Sequence, residues 1–374
     1  MILSNGYVVC DDFKLRKTDV KIENGIITEI GENLSGDEKI DFTGKYILPG
    51  FIDTHIHGAC GGRIADKEYF DKITYFEATQ GVTTLAATTS SSSVEDYIDQ
   101  IEFLKANRNN TKGTKIGGIH MEGPFLNLKC KGGMNPLYII SPDTKILDKF
   151  LDAGGDLIKI MTVAPEIEGA EEFIKYAVKK GIVVSGGHTY ATFDEMQNGF
   201  DWGITQATHT FNAMRPYNHR EPGVLGAVLL NDNIKCEMIC DHVHLHPKTL
   251  ELIYKLKGSD KINIISDSVM AAGLDVKEFV LDGLTSYVSD GVVRLKDGTI
   301  SGSAKTMADG VKNLILSGVP IEEVSKMASK NPAKTLSIYN ETGSITVGKY
   351  ADIAVLDKDY NVVTAFVNGK EFKK

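Results

Sequence analysis

An α/β fold, a (β/α)8 barrel joined to a small β-sandwich built from both chain ends, is what this sequence predicts. Three observations predict it. The two ends of the 374-residue chain read as strands and turns, and between them short apolar strands alternate with helical patterns. Nearly every one of those inner strands then runs into a His, Asp or Glu. Alternation of this kind winds helices around a mostly parallel sheet, and in a closed barrel the chemistry sits where the strands end.

The first 48 residues are strand-rich. Val20-Lys21-Ile22 and Ile26-Ile27-Thr28-Glu29-Ile30 flank Glu23-Asn24-Gly25, and Asn-Gly between such segments is the strongest short hairpin signal. At the other end Ile353 to Leu356 and Val362 to Val367 precede a turn at Asn368-Gly369. Chain termini often lie close together, so residues 1–48 and 343–374 are assigned to one β-sandwich domain and residues 49–342 to the barrel. Tyr46-Ile47-Leu48 leads into Phe51-Ile52, Thr83-Thr84-Leu85 follows a helix ending near Gly81, and Ile116 to Ile119 comes next. Leu157 to Val163, Ile182 to Ser185, Ile204 to Ala207, Lys235 to Ile239 and Ile262 to Ile265 complete the strands. Ser90 to Ser93 reads as a loop and helix cap. An open doubly wound sheet is the competing arrangement, but the first unit lacks its Gly-x-Gly-x-x-Gly turn.

Composition limits the function classes. Hydrophobic residues make up 42% and charged residues 24%, as in an ordinary soluble enzyme. A net charge of −9 with mixed signs argues against broad nucleic-acid binding, which needs a basic face. It leaves room for one small anion held by a local Arg. Five scattered cysteines, Cys10, Cys60, Cys130, Cys236 and Cys240, fit a reducing cytoplasm better than a disulfide framework. Neither a signal peptide in Met1 to Cys10 nor a membrane-crossing helix is expected.

The strand ends carry the chemistry. Strand one runs into Asp53-Thr54-His55-Ile56-His57 and strand three into His120-Met121-Glu122. His188 follows strand five, His209 strand six, Asp241 and His244 strand seven, and Asp267 strand eight. His55 and His57 lie two apart, so both imidazoles leave the same face of an extended strand. That is a geometry for two ligands on one metal, and imidazole with carboxylate suits zinc, iron and other divalent ions. An isolated His-x-His is more often a packed or surface pair. Repetition at further strand ends is what packing alone would not select. Taken singly, His120 reads as a support for Glu122, His219 and His246 as solvated loop residues, and His242 as a residue offset by two from His244. Cys60 reads as a loop thiol and Lys159 as a structural strand lysine.

These residues sit in longer motifs. Leu48-Pro49-Gly50-Phe51-Ile52-Asp53-Thr54-His55-Ile56-His57-Gly58 resembles the opening shared across the amidohydrolase superfamily. Met121-Glu122-Gly123-Pro124-Phe125-Leu126-Asn127, Gly186-Gly187-His188-Thr189 and Thr208-His209-Thr210-Phe211-Asn212-Ala213-Met214 follow in order. Arg220-Glu221-Pro222-Gly223, Asp241 to His244, Ser266-Asp267 and Gly302-Ser303-Ala304-Lys305-Thr306-Met307 complete the set. With them nearly the whole chain resembles the N-acetylglucosamine-6-phosphate deacetylases.

The resemblance implies a metal-dependent hydrolase that removes an acetyl group from an amino-sugar phosphate in amino-sugar catabolism. It implies Glu122, His188 and His209 as ligands of the principal divalent ion, zinc or iron. His55 and His57 fall where some members hold a second ion, so one or two ions per subunit are expected. Asp267 is the expected proton shuttle, and His244, with Asp241 nearby, is expected to touch the substrate and polarise its carbonyl. Asn212, Ala213 and Arg220 are implied for the sugar phosphate, Gly133 and Met134 for substrate contact, and Ile300, Ser301 and Gly302 for the sugar pocket. In the family that Arg comes from the neighbouring subunit, which implies at least a homodimer.

Two positions depart from the family pattern. After Lys131-Gly132-Gly133 the family usually has His or Gln, where this chain has Met134. The residue after Asp241 is commonly Gly and is His242 here. Both bear on which sugar is preferred more than on the reaction. N-acetylgalactosamine 6-phosphate, another amidohydrolase substrate such as a cyclic amide, and a non-catalytic binding role on the same fold therefore stay open.

Overall fold

Eight parallel strands follow one another in chain order around a barrel. They are β1 Phe51–Ile56, β2 Val82–Thr89, β3 Lys115–Glu122, β4 Ile158–Val163, β5 Val183–Gly186, β6 Gln206–Ala207, β7 Lys235–Ile239 and β8 Ile262–Ile265. The structure is a computed structural model that describes residues 1–36, 38–89, 92–281 and 284–374. Each barrel strand is followed by a helix: α1 Phe70–Thr79, α2 Val94–Asn107, α3 Thr144–Gly154, α4 Ala170–Lys179, α5 Phe193–Trp202, α6 Gly223–Leu230, α7 Pro247–Lys257 and α8 Met307–Leu316. None of the helices among the described residues is long and apolar enough to cross a membrane.

Local chemistry starts these helices where the strand ends have turned outward. Thr192 and Glu195 form a reciprocal capping box at α5, and Thr306 and Asp309 form another at α8. Ser93 caps α2 by accepting the Asp96 N–H, while Ser90 and Ser91, read as part of the same loop, lie outside the described residues. α6 is Gly-Val-Leu-Gly-Ala-Val-Leu-Leu and is buried on all sides up to Leu229, as a helix without a polar face must be.

Strand register brings the C-terminal ends of the strands level. Glu122 stands opposite Thr162, Val163 opposite Gly186, Ala207 opposite Cys236 and Ile239 opposite Ile265. β8 returns to β1 at this same end. The Asp267 N–H donates to the His55 carbonyl at 2.9 Å, and the His57 N–H to the Ser268 carbonyl at 2.9 Å. The Asp53 carboxylate fastens the seam further by accepting the His55 N–H at 3.1 Å and the Ser266 N–H at 3.3 Å. At the opposite end Ala333 and Leu336 pack on the interior residues Ile52, Ala86 and Ile160.

The two chain ends share a sheet. Tyr46–Pro49 pairs on one side with Tyr7–Val9 and on the other with Ile353–Leu356 near the C-terminus. A second sheet holds the hairpin of Asp19–Glu23 and Ile26–Gly31, whose turn residues Asn24 (φ 51°) and Gly25 (φ 79°) are both left-handed. A two-residue type I′ turn requires that conformation, which is why Asn-Gly occupies it. Leu3, Val20, Ile27, Ile47, Ile353 and Phe366 form a common buried cluster between the sheets. Tyr46–Pro49 then runs directly into β1, so this sandwich is tied to the barrel at the first ligand strand.

The structure also contains a sheet that the sequence reading did not foresee. Glu278–Leu281, Leu284–Ser289, Val292–Leu295 and Ile300–Ser303 form a four-stranded antiparallel insertion between β8 and α8. A hairpin at Asp290 (φ 54°) and Gly291 (φ 78°) turns its middle strands. A bridge from Ser303 to Ser268 sets its last strand against the seam of the barrel.

Candidate metal centre

Glu122, the last residue of β3, lies at the centre of four imidazoles. Its Oε1 stands 2.9 Å from His209 Nε2, 3.1 Å from His188 Nε2 and 3.3 Å from His55 Nε2. Its Oε2 stands 3.0 Å from His57 Nε2. Asp267 Oδ1 lies further out, 3.5 Å from His57 Nε2 and 3.6 Å from His55 Nε2. Glu122, His188 and His209 thus make one group of close ligand atoms, and His55, His57 and Asp267 make another. His188 (φ 47°), His209 (φ 28°) and Asp267 (φ 48°) all have left-handed backbones. Such conformations cost non-glycine residues about 1–3 kcal/mol each and persist where the surroundings fix them.

Hydrogen bonds around the cluster decide which nitrogens face inward. His188 gives its Nδ1–H to the Cys130 carbonyl at 2.8 Å, and His55 gives its Nδ1–H to Glu237 Oε2 at 3.0 Å. Each ring in its neutral form therefore turns an unprotonated Nε2 towards Glu122. His188 Nε2 and His209 Nε2 are only 3.0 Å apart, and His55 Nε2 makes no hydrogen bond among the described residues. Lone pairs crowded in a buried site repel one another unless a cation or extra protons lie among them. This donor set fits a divalent ion.

Electrostatics point the same way. Burial alone would push the Glu122 carboxyl up, but His55, His188 and His209 hold it well below the usual carboxylate range. Burial would lower His57, yet the Asp267 and Glu122 carboxylates raise it to about 9. A metal ion bound among these rings would have to displace the protons they attract. His120 stands apart from this competition. Its Nδ1–H donates to the Thr54 carbonyl at 2.9 Å and its Nε2 accepts from the Thr162 hydroxyl at 2.8 Å. Burial lowers it to about 4, so it remains a neutral ring packed against His55.

The cluster opens into a cavity of about 710 Å3. His57, Glu122, His188, His209, His244 and Asp267 line it, and so do Gly133, Met134, Asn212, Ala213, Ile300, Ser301 and Gly302. Asp241 lies behind His244, taking the Nδ1–H at 2.7 Å and leaving Nε2 without a partner among the described residues. Arg220 is exposed and lies outside the cavity of its own chain. His242, in a left-handed loop, does not line the cavity either. His246 caps α7 through its Nδ1, and His219 is exposed. Cys60 is buried outside the ligand groups, and Lys159 lies in the second position of β4, at the end of the barrel away from the metal ligands.

Further cavity residues escaped the sequence reading, among them Lys129, Tyr190, Asp297 and Thr299. Glu237, which holds His55, escaped it too. Its one signal is a charged residue in the middle of Lys235-Cys236-Glu237-Met238-Ile239.

The model of the amidohydrolase family matches residues 46–372. The chain belongs to the amidohydrolase family. This amidohydrolase is 35% identical over 366 residues to an N-acetylglucosamine-6-phosphate deacetylase of Lysinibacillus sphaericus, covering 96% of this chain and 94% of that protein. Among solved structures, an N-acetylglucosamine-6-phosphate deacetylase from Thermotoga maritima superposes with a TM-score of 0.87 at 35% identity, with 100% of both chains covered. A deacetylase of the same name from Mycobacterium smegmatis, an Asp-to-Ala mutant in complex with N-acetyl-D-glucosamine-6-phosphate, superposes with a TM-score of 0.94. That chain is 30% identical, and the match covers 100% of this amidohydrolase and 99% of it.

Proposed function

We propose that this chain hydrolyses N-acetylglucosamine 6-phosphate to glucosamine 6-phosphate and acetate in amino-sugar catabolism. The observation that carries the reading is the placement of Asp267. Its carboxylate sits beside the histidine cluster yet faces a cavity of about 710 Å3, within the size range of small-molecule sites. The relatives that bear this activity in their names match nearly the full chain.

Glu122, His188 and His209 would hold the principal ion, with His55 and His57 holding a second. A divalent ion, when bound, lowers the pKa of a coordinated water towards ~7 and polarises a carbonyl. Asp267 accepts the proton of the attacking water and returns it to the departing sugar nitrogen. Burial would raise its carboxyl, but the His55 and His57 rings, where they carry protons, bring it down to about 2. His244, steadied by Asp241 and lining the cavity, would donate from Nε2 to the developing oxyanion as an imidazolium, with both ring nitrogens protonated. Gly133, Met134, Asn212, Ala213, Ile300, Ser301 and Gly302 enclose the sugar.

The finer parts of the reading rest on the same residues. Zinc or iron, one or two ions per subunit, suits imidazole with carboxylate. Arg220, exposed and outside its own cavity, would grip the phosphate in the neighbouring subunit's site by bidentate hydrogen bonds, which requires a homodimer or larger assembly. Five buried cysteines without disulfides suit the cytoplasm. Residues 1–48 with 343–374 form the sandwich domain in this reading, and 49–342 the catalytic barrel. The alternative substrate, N-acetylgalactosamine 6-phosphate, rests on Met134 in the cavity wall, where a thioether offers no donor to a sugar hydroxyl. Acetate release from both N-acetylhexosamine 6-phosphates and their unphosphorylated forms tests the choice. Glucosamine-configured phosphate is expected to be the fastest, and a faster galactosamine epimer would overturn the assignment.

A further inference from the structure

The barrel interior beneath the ligands is polar on one side. Glu237 of β7 is fully buried, with its Oε2 on His55 Nδ1 at 3.0 Å and on the His209 N–H at 3.2 Å. Its Oε1 accepts from Gln206 Nε2 at 2.7 Å. Gln206 is held in turn, its Oε1 accepting from Asn263 Nδ2 at 3.1 Å. Asn263 and Lys235 both donate to the Thr335 hydroxyl, at 3.3 Å and 2.9 Å. A connected set of side chains thus runs from the plugged end of the barrel to the back of His55.

Such a layer is costly to bury unless it is satisfied, and apolar side chains of similar volume would fill the space without that cost. The carboxylate of Glu237 contacts His55, Gln206 and one backbone amide, and none of these is a permanent cation. What the arrangement supplies is direction. With its Nδ1–H committed to Glu237, His55 presents a bare Nε2 to Glu122 and Asp267. The anion behind the ring also makes that nitrogen a stronger donor to a metal.

We propose that Glu237 is a positioning residue that sets the tautomer of His55 and so the affinity of the His55–His57 position for a cation. The proposal rests on the metal-dependent reading above and adds a residue to it. His188 and His209 do not use Glu237 to orient their rings: His188 is held by the Cys130 carbonyl, and His209 meets Glu237 only through its backbone. The two ion positions are therefore separable by mutation.

The test is cation uptake, read without any turnover. Metal-free chain is titrated with Co2+ while the visible absorbance is followed, and bound cobalt is counted by elemental analysis. Wild type is expected to fill two positions. Glu237→Gln keeps the volume and removes the charge, so the weaker step should shift by about 10–100-fold while the tighter step stays put. Glu237→Asp, which keeps the charge, should recover part of the loss. Gln206→Leu loosens the same carboxylate without touching either ion position and should shift the same step, which keeps the idea testable if Glu237→Gln does not fold. Equal weakening of both steps, no change in either, or a wild-type chain that takes up a single ion would overturn the proposal. The deacetylase reading fails separately, through absence of acetate release.

Discussion

Replacing Asp267 by Asn tests whether this carboxylate is the proton shuttle or a metal ligand. The side chain keeps its shape, and Asn tolerates the left-handed backbone at this position (φ 48°), so the fold is not strained as it would be with Ala. Glu122 approaches four imidazole nitrogens at 2.9–3.3 Å, whereas Asp267 reaches only two, at 3.5 and 3.6 Å. Asp267 is therefore peripheral to the ligand set and nearer the cavity. Loss of a general base costs about 10²–10⁴ in kcat, which is about 2.7–5.4 kcal/mol at about 1.36 kcal/mol per decade. KM should move little, because the lost interaction belongs to the transition state. The assay is steady-state acetate release, with metal content measured by elemental analysis on the same preparation. If the metal leaves together with the carboxylate, Asp267 is a ligand first. A kcat close to wild type would mean that another group moves the proton.

Other perturbations have equally definite outcomes. Glu122→Gln removes the charge shared by four imidazoles and should abolish most metal uptake and activity; a variant that retains both on elemental analysis and assay contradicts the ligand assignment. Arg220→Ala should raise KM steeply for the phosphorylated sugar and leave the unphosphorylated one unchanged, and equal losses on the two substrates would show that Arg220 serves the fold instead. Glu77 is buried in α1 with neither carboxyl oxygen hydrogen-bonded among the described residues, and burial, with Asp53 and Asp309 nearby, raises it to about 8. Its folded state therefore keeps a proton that the unfolded chain releases near the ordinary carboxyl value of 4.5. Wild type should lose up to ~1.4 kcal/mol per pH unit relative to Glu77→Gln as pH rises through that window. Denaturant midpoints of the two proteins that stay parallel from pH 5 to pH 8 would refute this.

Much of the architecture could be read from local chemistry. Asn24-Gly25 and Asn368-Gly369 each carry two left-handed residues, so the hairpins of the sandwich announced themselves at the turns. The candidate site residues were legible for a different reason. His55, Glu122, His188, His209 and Asp267 all stand at or just beyond strand ends, where a barrel collects its functional groups. The insertion after β8 was missed although Asp290-Gly291 marks its hairpin, because its strands mix polar and apolar residues without a clean period of two. Glu237 was hidden more deeply. It lies 182 residues from His55, and only closure of the barrel brings the two together. Arg220 shows the remaining limit, since it is exposed outside its own chain's cavity and the role proposed for it needs an adjoining copy.

One measurement decides whether this chain is a metal-dependent amino-sugar phosphate deacetylase. A single purified preparation is divided, one half stripped with chelator and the other left with its measured metal, and both are given N-acetylglucosamine 6-phosphate. The metal-loaded half should release acetate and glucosamine 6-phosphate in equal amounts, the stripped half neither, and a restored divalent ion should bring the reaction back. Undiminished acetate release from the demonstrably metal-free half would contradict the mechanism built on Glu122, His188 and His209.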